Sequence, residues 1–323
     1  MRPPSILFFV SILVSLAGCA IISPLNVPEP QPLEPGRLPP PNTALKVPHL
    51  GPCTDSPDRT THLNTSYPVT VLVHGCNGSA GRFRSLAQLY AFHGQQAVCF
   101  SYDARESLVL SSSHLISTLD ALASNLPDHD LTVIGHSMGG LVARKAMELD
   151  RCGEWRRNEA SIKLATVSAP IAGIQAASTC GSRLLHWLSL GAVPGICWIV
   201  TGGNWFEITP TSDFIQRPGP LLPGVQRYLK IVTDERDTCR RTSANGTCLE
   251  SDYVFSLAEQ YHPDIDNYPQ LVNVEVEAGH VEIVGNKEVA PRKLLSILQQ
   301  QGLLAPTPPE RRAALEQLLA ELY

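Results

Sequence analysis

The sequence predicts an α/β protein with a mostly parallel sheet flanked by helices. Short apolar runs rich in β-branched residues alternate with segments whose apolar residues recur at helical spacing. This alternation is typical of parallel strands joined by right-handed crossovers. One run leads through a serine between glycines directly into a helical pattern, and 43% hydrophobic residues over a length of 323 suffice for a large core. The net charge of −5 argues against a nucleic-acid-binding surface.

Residues 1–18 have the pattern of a signal peptide. An N-terminal arginine precedes an apolar stretch at residues 6–16, which is too short to span a membrane comfortably. The stretch ends in Leu16-Ala17-Gly18-Cys19, which resembles the bacterial lipobox. That resemblance implies cleavage before Cys19 and lipidation of its thiol, which would anchor the chain to a membrane. We therefore expect a location in the bacterial cell envelope, and Ala20 in place of aspartate favours the outer membrane. An ordinary secretory signal is the alternative.

Residues 19–66 are rich in proline and are predicted to form an extended linker that holds the folded domain away from the lipid surface. The end of this linker could pack on the domain, with Cys53 as a possible disulfide partner. The folded domain itself is expected at residues 67–303.

Eight cysteines remain beyond Cys19, and an even number in an exported protein suggests disulfides. Cys239 and Cys248 flank a polar loop that they could close. Cys180 and Cys197 could close an apolar insertion in the same way. Metal binding is the weaker interpretation because no Cys-x-x-Cys spacing is present, so no metal site is predicted.

The domain begins with a predicted buried strand at residues 69–73, which runs into His74-Gly75-Cys76. Helical spacing follows at residues 81–93, then a second strand at 97–102. A second helix is expected after the serines at 111–113, which can cap its N-terminus.

The third strand, at residues 131–134, leads into Gly135-His136-Ser137-Met138-Gly139, and a helical pattern follows at 141–147. This segment fits Gly-x-Ser-x-Gly. Glycines are needed on both sides because a side chain there would crowd a strained turn. The context of strand, serine turn and helix indicates a nucleophile elbow, whereas a glycine-rich turn that merely carries a serine is the alternative.

With this motif the sequence resembles the lipase/esterase branch of the α/β-hydrolases, from about residue 67 to residue 300. The resemblance implies that Ser137 is the nucleophile. It also implies an oxyanion hole formed by the backbone N–H groups of Cys76, after the His-Gly strand end, and Met138. His74 is interpreted as a structural histidine that braces its loop, and a reactive role for the Cys76 thiol is disfavoured.

A fourth strand is predicted at residues 162–170. The segment at about 174–223 then breaks the alternation and is rich in large apolar residues. In the α/β-hydrolase fold such an insertion is the usual place of an apolar cap or lid. Packing of the insertion on the main domain is the alternative. Residues 304–323 are predicted to contain an amphipathic helix, for which packing on the domain is preferred over contact with another chain or with lipid.

The resemblance implies that the triad acid and the triad histidine follow the last two strands. A strand at residues 227–233 is followed by three candidates for the triad acid, Asp234, Asp237 and Asp252; the resemblance favours Asp252, whose context Asp-x-x-apolar is lipase-like. A final strand at 271–276 leads into Gly279-His280, the lipase-like position of the triad histidine.

The order Ser137, Asp252, His280 is that of the α/β-hydrolases. The sequence therefore predicts a serine hydrolase that cleaves carboxylic esters, in particular acyl-lipid esters, through an acyl-enzyme and without a cofactor. The expected partners are an ester or lipid substrate and, through the lipid anchor, a membrane. The alternatives are an acyltransferase or thioesterase with the same triad, or a non-catalytic envelope lipoprotein on a hydrolase scaffold.

Overall fold

The computed structural model describes residues 43–126, 130–151, 161–177 and 206–323. The predicted signal peptide with Cys19, the first part of the linker and the Cys180–Cys197 pair lie outside these residues, as does most of the predicted cap. All described residues belong to one compact unit.

Within the described residues, seven strands form the central sheet, in the order β11-β8-β7-β6-β4-β5-β2. Every neighbouring pair is parallel except β2 with β5, which is antiparallel. Two small antiparallel pairs, β1 with β3 and β9 with β10, lie outside this sheet. The strands are β1 Thr43–Leu45, β2 Leu50–Gly51, β3 Thr61–Leu63, β4 Val69–Val73, β5 Gln96–Phe100, β6 Leu131–His136, β7 Ile162–Val167, β8 Val225–Asp234, β9 Cys239–Thr242, β10 Cys248–Ser251 and β11 Leu271–Glu277.

The central strands are mostly apolar because helices cover both faces of the sheet. Alternate residues of β4 show this arrangement: Val71 and Val73 belong to one apolar cluster, and Leu72 belongs to the other. The helices α2 and α3 contribute to the first cluster, and α1, α6 and α7 to the second. The helices are α1 Arg84–Phe92, α2 Leu108–Ala123, α3 Met138–Ala146, α4 Asp213–Gln216, α5 Pro263–Asp266, α6 Arg292–Gln300 and α7 Arg312–Leu322.

The end of the predicted linker is part of the folded domain. Leu45, Leu50 and Leu63 are buried in the core, and β2 extends the sheet at its β5 edge. Cys53 is disulfide-bonded to Cys99 in β5. The folded domain therefore begins before residue 67, because apolar residues between the prolines pack against the sheet.

The C-terminal helix α7 packs on the domain, since Leu318 and Leu319 are buried in the cluster that also contains α1 and α6. The predicted disulfide between Cys239 and Cys248 is present and closes the β9–β10 hairpin. Within the described ranges, no helix combines the length and apolar character needed to cross a membrane.

Candidate active site

Ser137 lies on the sharp turn between β6 and α3, at a positive φ of 56°. A positive φ is costly for a residue with a side chain, so the surrounding backbone must hold the turn in place. The flanking glycines allow this close packing: a Cβ at Gly135 would lie 2.3 Å from the carbonyl oxygen of Gly139, and one at Gly139 would lie 2.3 Å from the carbonyl oxygen of His74. The turn thus presents the Ser137 hydroxyl at the carboxyl edge of the sheet.

His280 lies in the loop after β11, at the same edge of the sheet, and its side chain extends to the serine. Its Nε2 lies 3.0 Å from the Ser137 Oγ. The ring of Phe255 contacts the His280 ring edge-on, with 4.9 Å between centroids, and so restricts its tilt. The structure therefore brings together the two residues that the sequence paired, within hydrogen-bonding distance.

The carboxylate that faces the other ring nitrogen belongs to Glu235, which directly follows β8. Its Oε1 lies 2.9 Å from His280 Nδ1, and the Glu235 side chain is buried. The hydroxyl of Ser168 donates to the same oxygen at 2.8 Å, and the backbone N–H of Val254 donates to Oε2 at 2.7 Å. Burial alone would raise the pKa of Glu235, but the hydrogen bond and charge of His280, together with these donors, hold the pKa below its usual range.

Asp252 does not contact the His280 ring, so its predicted place beside that ring is wrong. Its buried carboxylate instead accepts backbone N–H groups from Val281, at 3.0 Å, and Glu282, at 2.9 Å. Its own carbonyl accepts the His280 N–H at 2.9 Å. Asp252 follows the β9–β10 hairpin and lies under the backbone of the histidine loop, which it holds in place.

The other two candidate acids point elsewhere. Asp234 forms an ion pair with Arg236, and Asp237 is exposed on a turn. Along a strand, side chains alternate between the faces, so the side chain of residue 235 leaves β8 on the side opposite to that of 234. Strand phase therefore distinguishes Glu235 from Asp234, and it is the signal in the sequence that favours the glutamate over that aspartate.

Cys76 and Met138, the predicted oxyanion-hole residues, line the same cavity as Ser137. Gly75 packs directly on the serine, since a Cβ there would lie 2.9 Å from the Ser137 Cβ. Met138 is the first residue of α3, whose N-terminal N–H groups favour negative charge. The Cys76 thiol is free and exposed.

His74 braces the loop that contains Cys76, in agreement with its structural interpretation. Its ring Nδ1–H donates to the Gly75 carbonyl at 3.0 Å, and its ring stacks on Tyr102. The Tyr102 hydroxyl in turn donates to the His74 carbonyl at 2.7 Å. These contacts engage the His74 ring in support of the loop.

His136 is a residue of the site that the sequence did not single out. Its Nε2–H donates to the His280 carbonyl at 2.8 Å, and the two rings lie 4.8 Å apart. Burial and the positive charge that His280 can carry lower the pKa of His136 well below its ordinary value. His136 is therefore neutral, with the proton on Nε2 committed to the histidine loop.

Ser168 and Thr233 were also missed. The Ser168 hydroxyl, which donates to Glu235, also lies 2.9 Å from His280 Nδ1. The Thr233 hydroxyl donates to the Ser168 hydroxyl at 2.7 Å. Ser168 directly follows β7 and Thr233 lies in the neighbouring β8, and both hydroxyls add to the hydrogen bonding around the carboxylate. Their role depends on strand pairing, which no local motif encodes.

A cavity of about 470 Å³ opens above Ser137. Ile174 and Ile208, from the two described ends of the predicted cap insertion, contribute to its wall, which is mostly apolar. Two arginines, Arg82 and Arg240, also line it. The described residues contain no group of three or more His, Cys, Asp or Glu side chains arranged to bind a metal ion. The apolar part of the wall comprises Phe83, Ile174, Ile208, Val254, Phe255 and Val284.

Comparison with known proteins adds to this geometry. A family model described as an α/β-hydrolase of unknown function matches residues 85–170. A lipase of Bacillus licheniformis in its propeptide form superposes with a TM-score of 0.53 at 15% identity, over 80% of this chain and 53% of that one. Its mature form gives a TM-score of 0.49 at 15% identity, over 79% and 97%. An esterase of Pyrococcus furiosus gives 0.43 at 16% identity, over 73% and 81%.

No curated protein matches the sequence. The superposition on the propeptide-form lipase nevertheless extends over four fifths of the chain. This protein has the α/β-hydrolase fold.

Proposed function

We propose that the protein is a serine hydrolase that cleaves carboxylic esters, with acyl-lipid esters as the favoured class. The observation that carries this proposal is the continuous hydrogen-bonded chain from Ser137 through His280 to Glu235 at the base of the cavity. A nucleophile, a base and an acid that orients the base are the parts that acyl transfer requires. The apolar wall suits an acyl chain.

In the first step, the Ser137 Oγ attacks the ester carbonyl carbon while its proton passes to His280 Nε2. The backbone N–H groups of Cys76 and Met138 donate hydrogen bonds to the carbonyl oxygen and so stabilise the negative charge that develops on it. Collapse of the tetrahedral intermediate breaks the ester bond, and the departing alkoxide takes the proton from Nε2. An acyl-serine remains.

In the second step, water attacks the acyl carbon and gives a proton to His280 Nε2. The carboxylic acid leaves, and the proton returns to the Ser137 Oγ. Glu235 fixes the tautomer that keeps Nε2 free to accept a proton, and its negative charge stabilises the imidazolium that forms in both steps. Because the pKa of Glu235 lies below its usual range, this carboxylate is ionised at neutral pH.

The proposal includes the place where the enzyme acts. The sequence pattern around Cys19 supports a lipid anchor in the bacterial cell envelope, which would hold the domain near acyl-lipid substrates.

The test is covalent labelling of the full-length protein with a fluorophosphonate probe, together with hydrolysis of p-nitrophenyl hexanoate. We expect labelling of the wild type. We expect turnover to fall by about three to six orders of magnitude in Ser137→Ala, with the far-UV circular dichroism unchanged. Ser79→Ala, a substitution of an exposed serine outside this cavity, is the matched control and should keep both signals. Near-wild-type turnover in folded Ser137→Ala would contradict the proposal.

A further inference from the structure

The charged side chains that the described residues contribute to the Ser137 cavity are all basic. Arg82 and Arg240 are its only charged lining residues among those that the structure describes, since no aspartate or glutamate lines it. Glu235 is buried behind His280 and its charge is taken up by the histidine and the donors described above. A substrate in this cavity therefore meets cationic groups together with the apolar wall.

The two arginines differ in how their charge is balanced. Arg240, on β9, donates from Nε and Nη2 to Asp252 at 3.1 and 3.0 Å and from Nη1 to Glu250 at 3.1 Å. Its charge is thus compensated by two carboxylates. A guanidinium has five N–H donors, so two remain for a ligand.

Arg82 has no such compensation. Its side chain is exposed and forms no ion pair or hydrogen bond with any described residue. The nearby Asp55 accepts the backbone N–H of Gly81 but does not form an ion pair with Arg82. Burial and His280 are the main causes of the lowered pKa of His136, and the positive charge of Arg82 adds a smaller contribution in the same direction.

The position of Arg82 is fixed by its neighbours. It lies in a 3-10 helix, Ala80–Phe83, in which Ala80 and Phe83 are buried in the core. The backbone at Arg82 is therefore rigid, and its side chain starts from a defined point beside the apolar wall. Phe83, the next residue, itself contributes to that wall.

We infer that the preferred substrate is an ester that carries an anionic group, which binds Arg82 and the free donors of Arg240 while its apolar part occupies the wall. This inference rests on the proposed ester hydrolysis and names the substrate class. The recognition chemistry is that of a guanidinium with an oxyanion, and such charge-assisted hydrogen bonds are stronger than neutral ones. The anion can be a carboxylate on the acyl part or a phosphate on the alcohol part.

The experiment compares kcat/KM for two pairs of substrates with the full-length protein at low ionic strength. One pair is mono-p-nitrophenyl adipate against p-nitrophenyl hexanoate, and the other is dihexanoyl phosphatidic acid against dihexanoylglycerol. We expect one anionic member to be preferred by about tenfold or more, and the preference to fall as salt screens the charge. A preference for the adipate places the anion on the acyl part, and a preference for the phosphatidic acid places it on the alcohol part.

Arg82→Gln is the specific variant, since a change at Arg240 would also disturb Asp252. We expect the anionic-to-neutral ratio to approach one in Arg82→Gln and to be partly kept in Arg82→Lys. Arg312→Gln, a change of an exposed arginine outside the cavity, should leave the ratio unchanged.

The inference is overturned if neither anionic substrate is preferred, or if the preference survives in Arg82→Gln. It is also overturned if Arg82→Gln slows both members of a pair equally, because the arginine would then act on the fold or on the oxyanion. If the anionic and neutral esters are cleaved with equal kcat/KM, this inference is contradicted while the proposed ester hydrolysis stands. Absence of both cleavage and phosphonate labelling would contradict the proposed function itself.

Discussion

Glu235 and Asp252 are buried carboxylates that contact the same loop at different atoms. Glu235 binds the imidazole Nδ1, whereas Asp252 binds the backbone N–H groups that follow the histidine. The first contact sets which ring nitrogen carries the proton, and the second sets where the loop lies. Substitution at the two positions should therefore change different quantities.

We expect Glu235→Gln to lower kcat by about two to four orders of magnitude, because an amide does not enforce the required tautomer or stabilise the imidazolium. Asp252→Asn should cost about 1–3 kcal/mol of unfolding free energy, since its amide nitrogen would face backbone donors, with a smaller loss in kcat. The measurements are kcat on p-nitrophenyl hexanoate and urea unfolding of both variants. An equal loss of kcat in Asp252→Asn at unchanged stability would reverse the two roles.

The sequence could point to Ser137 and His280 as candidates because each lies in a local motif shortly after a strand. The acid could not be identified in the same way, since several carboxylates follow β8 and the choice depends on strand phase. His136 and Ser168 were missed for a further reason: their contacts with the histidine cross from β6 and β7 to the loop after β11, and such contacts follow from strand order rather than local sequence.

Among the elements, the β9–β10 hairpin connects a disulfide to the site. Cys239 lies next to Arg240, which lines the cavity and pairs with Asp252. The Cys53–Cys99 disulfide lies at the β5 edge of the sheet, and neither of its cysteines lines the cavity. The sequence predicted the Cys239–Cys248 bond from its short spacing, but the position of the hairpin depends on tertiary packing.

The two disulfides should consequently differ in what their removal changes. Replacing Cys239 and Cys248 by serine should lower kcat/KM by about tenfold, because Arg240 and Asp252 lose their fixed position. The chain-entropy model gives a stability loss of about 3 kcal/mol for this short loop and about 4 kcal/mol for the longer Cys53–Cys99 loop. Urea unfolding and steady-state kinetics of both double variants test this contrast. A larger kinetic loss in the Cys53–Cys99 variant would contradict it.

For the whole molecule, the sheet and its two helical layers could be expected from the alternation of patterns, but the strand order and the antiparallel β2 could not. Local sequence does not encode which strands become neighbours. The packing of α7 was the preferred interpretation of its apolar stripe, and burial of Leu318 and Leu319 confirms it. Helix α7 therefore completes the core on the face shared with α1 and α6.

Leu319→Ala should destabilise the protein by about 2–4 kcal/mol, because a buried side chain is removed and a cavity remains. Glu321→Ala, a change at an exposed position of the same helix, should stay within about 0.5 kcal/mol of the wild type. Urea unfolding of the two variants provides the comparison. Equal stability of both would mean that α7 is detached from the domain in solution.

The hydrogen bond between Ser137 and His280 also has a consequence for folding. It joins residues 143 positions apart, and His280 lies in the loop after β11, a strand that pairs with β8 at the edge of the sheet. Contacts between residues so far apart in the sequence cost more chain entropy to form than local contacts do. A chain in which β11 has not yet joined the sheet can hold the serine turn, but it lacks the histidine beside that turn. Under the proposed mechanism, such a partly folded chain would therefore be unable to activate Ser137.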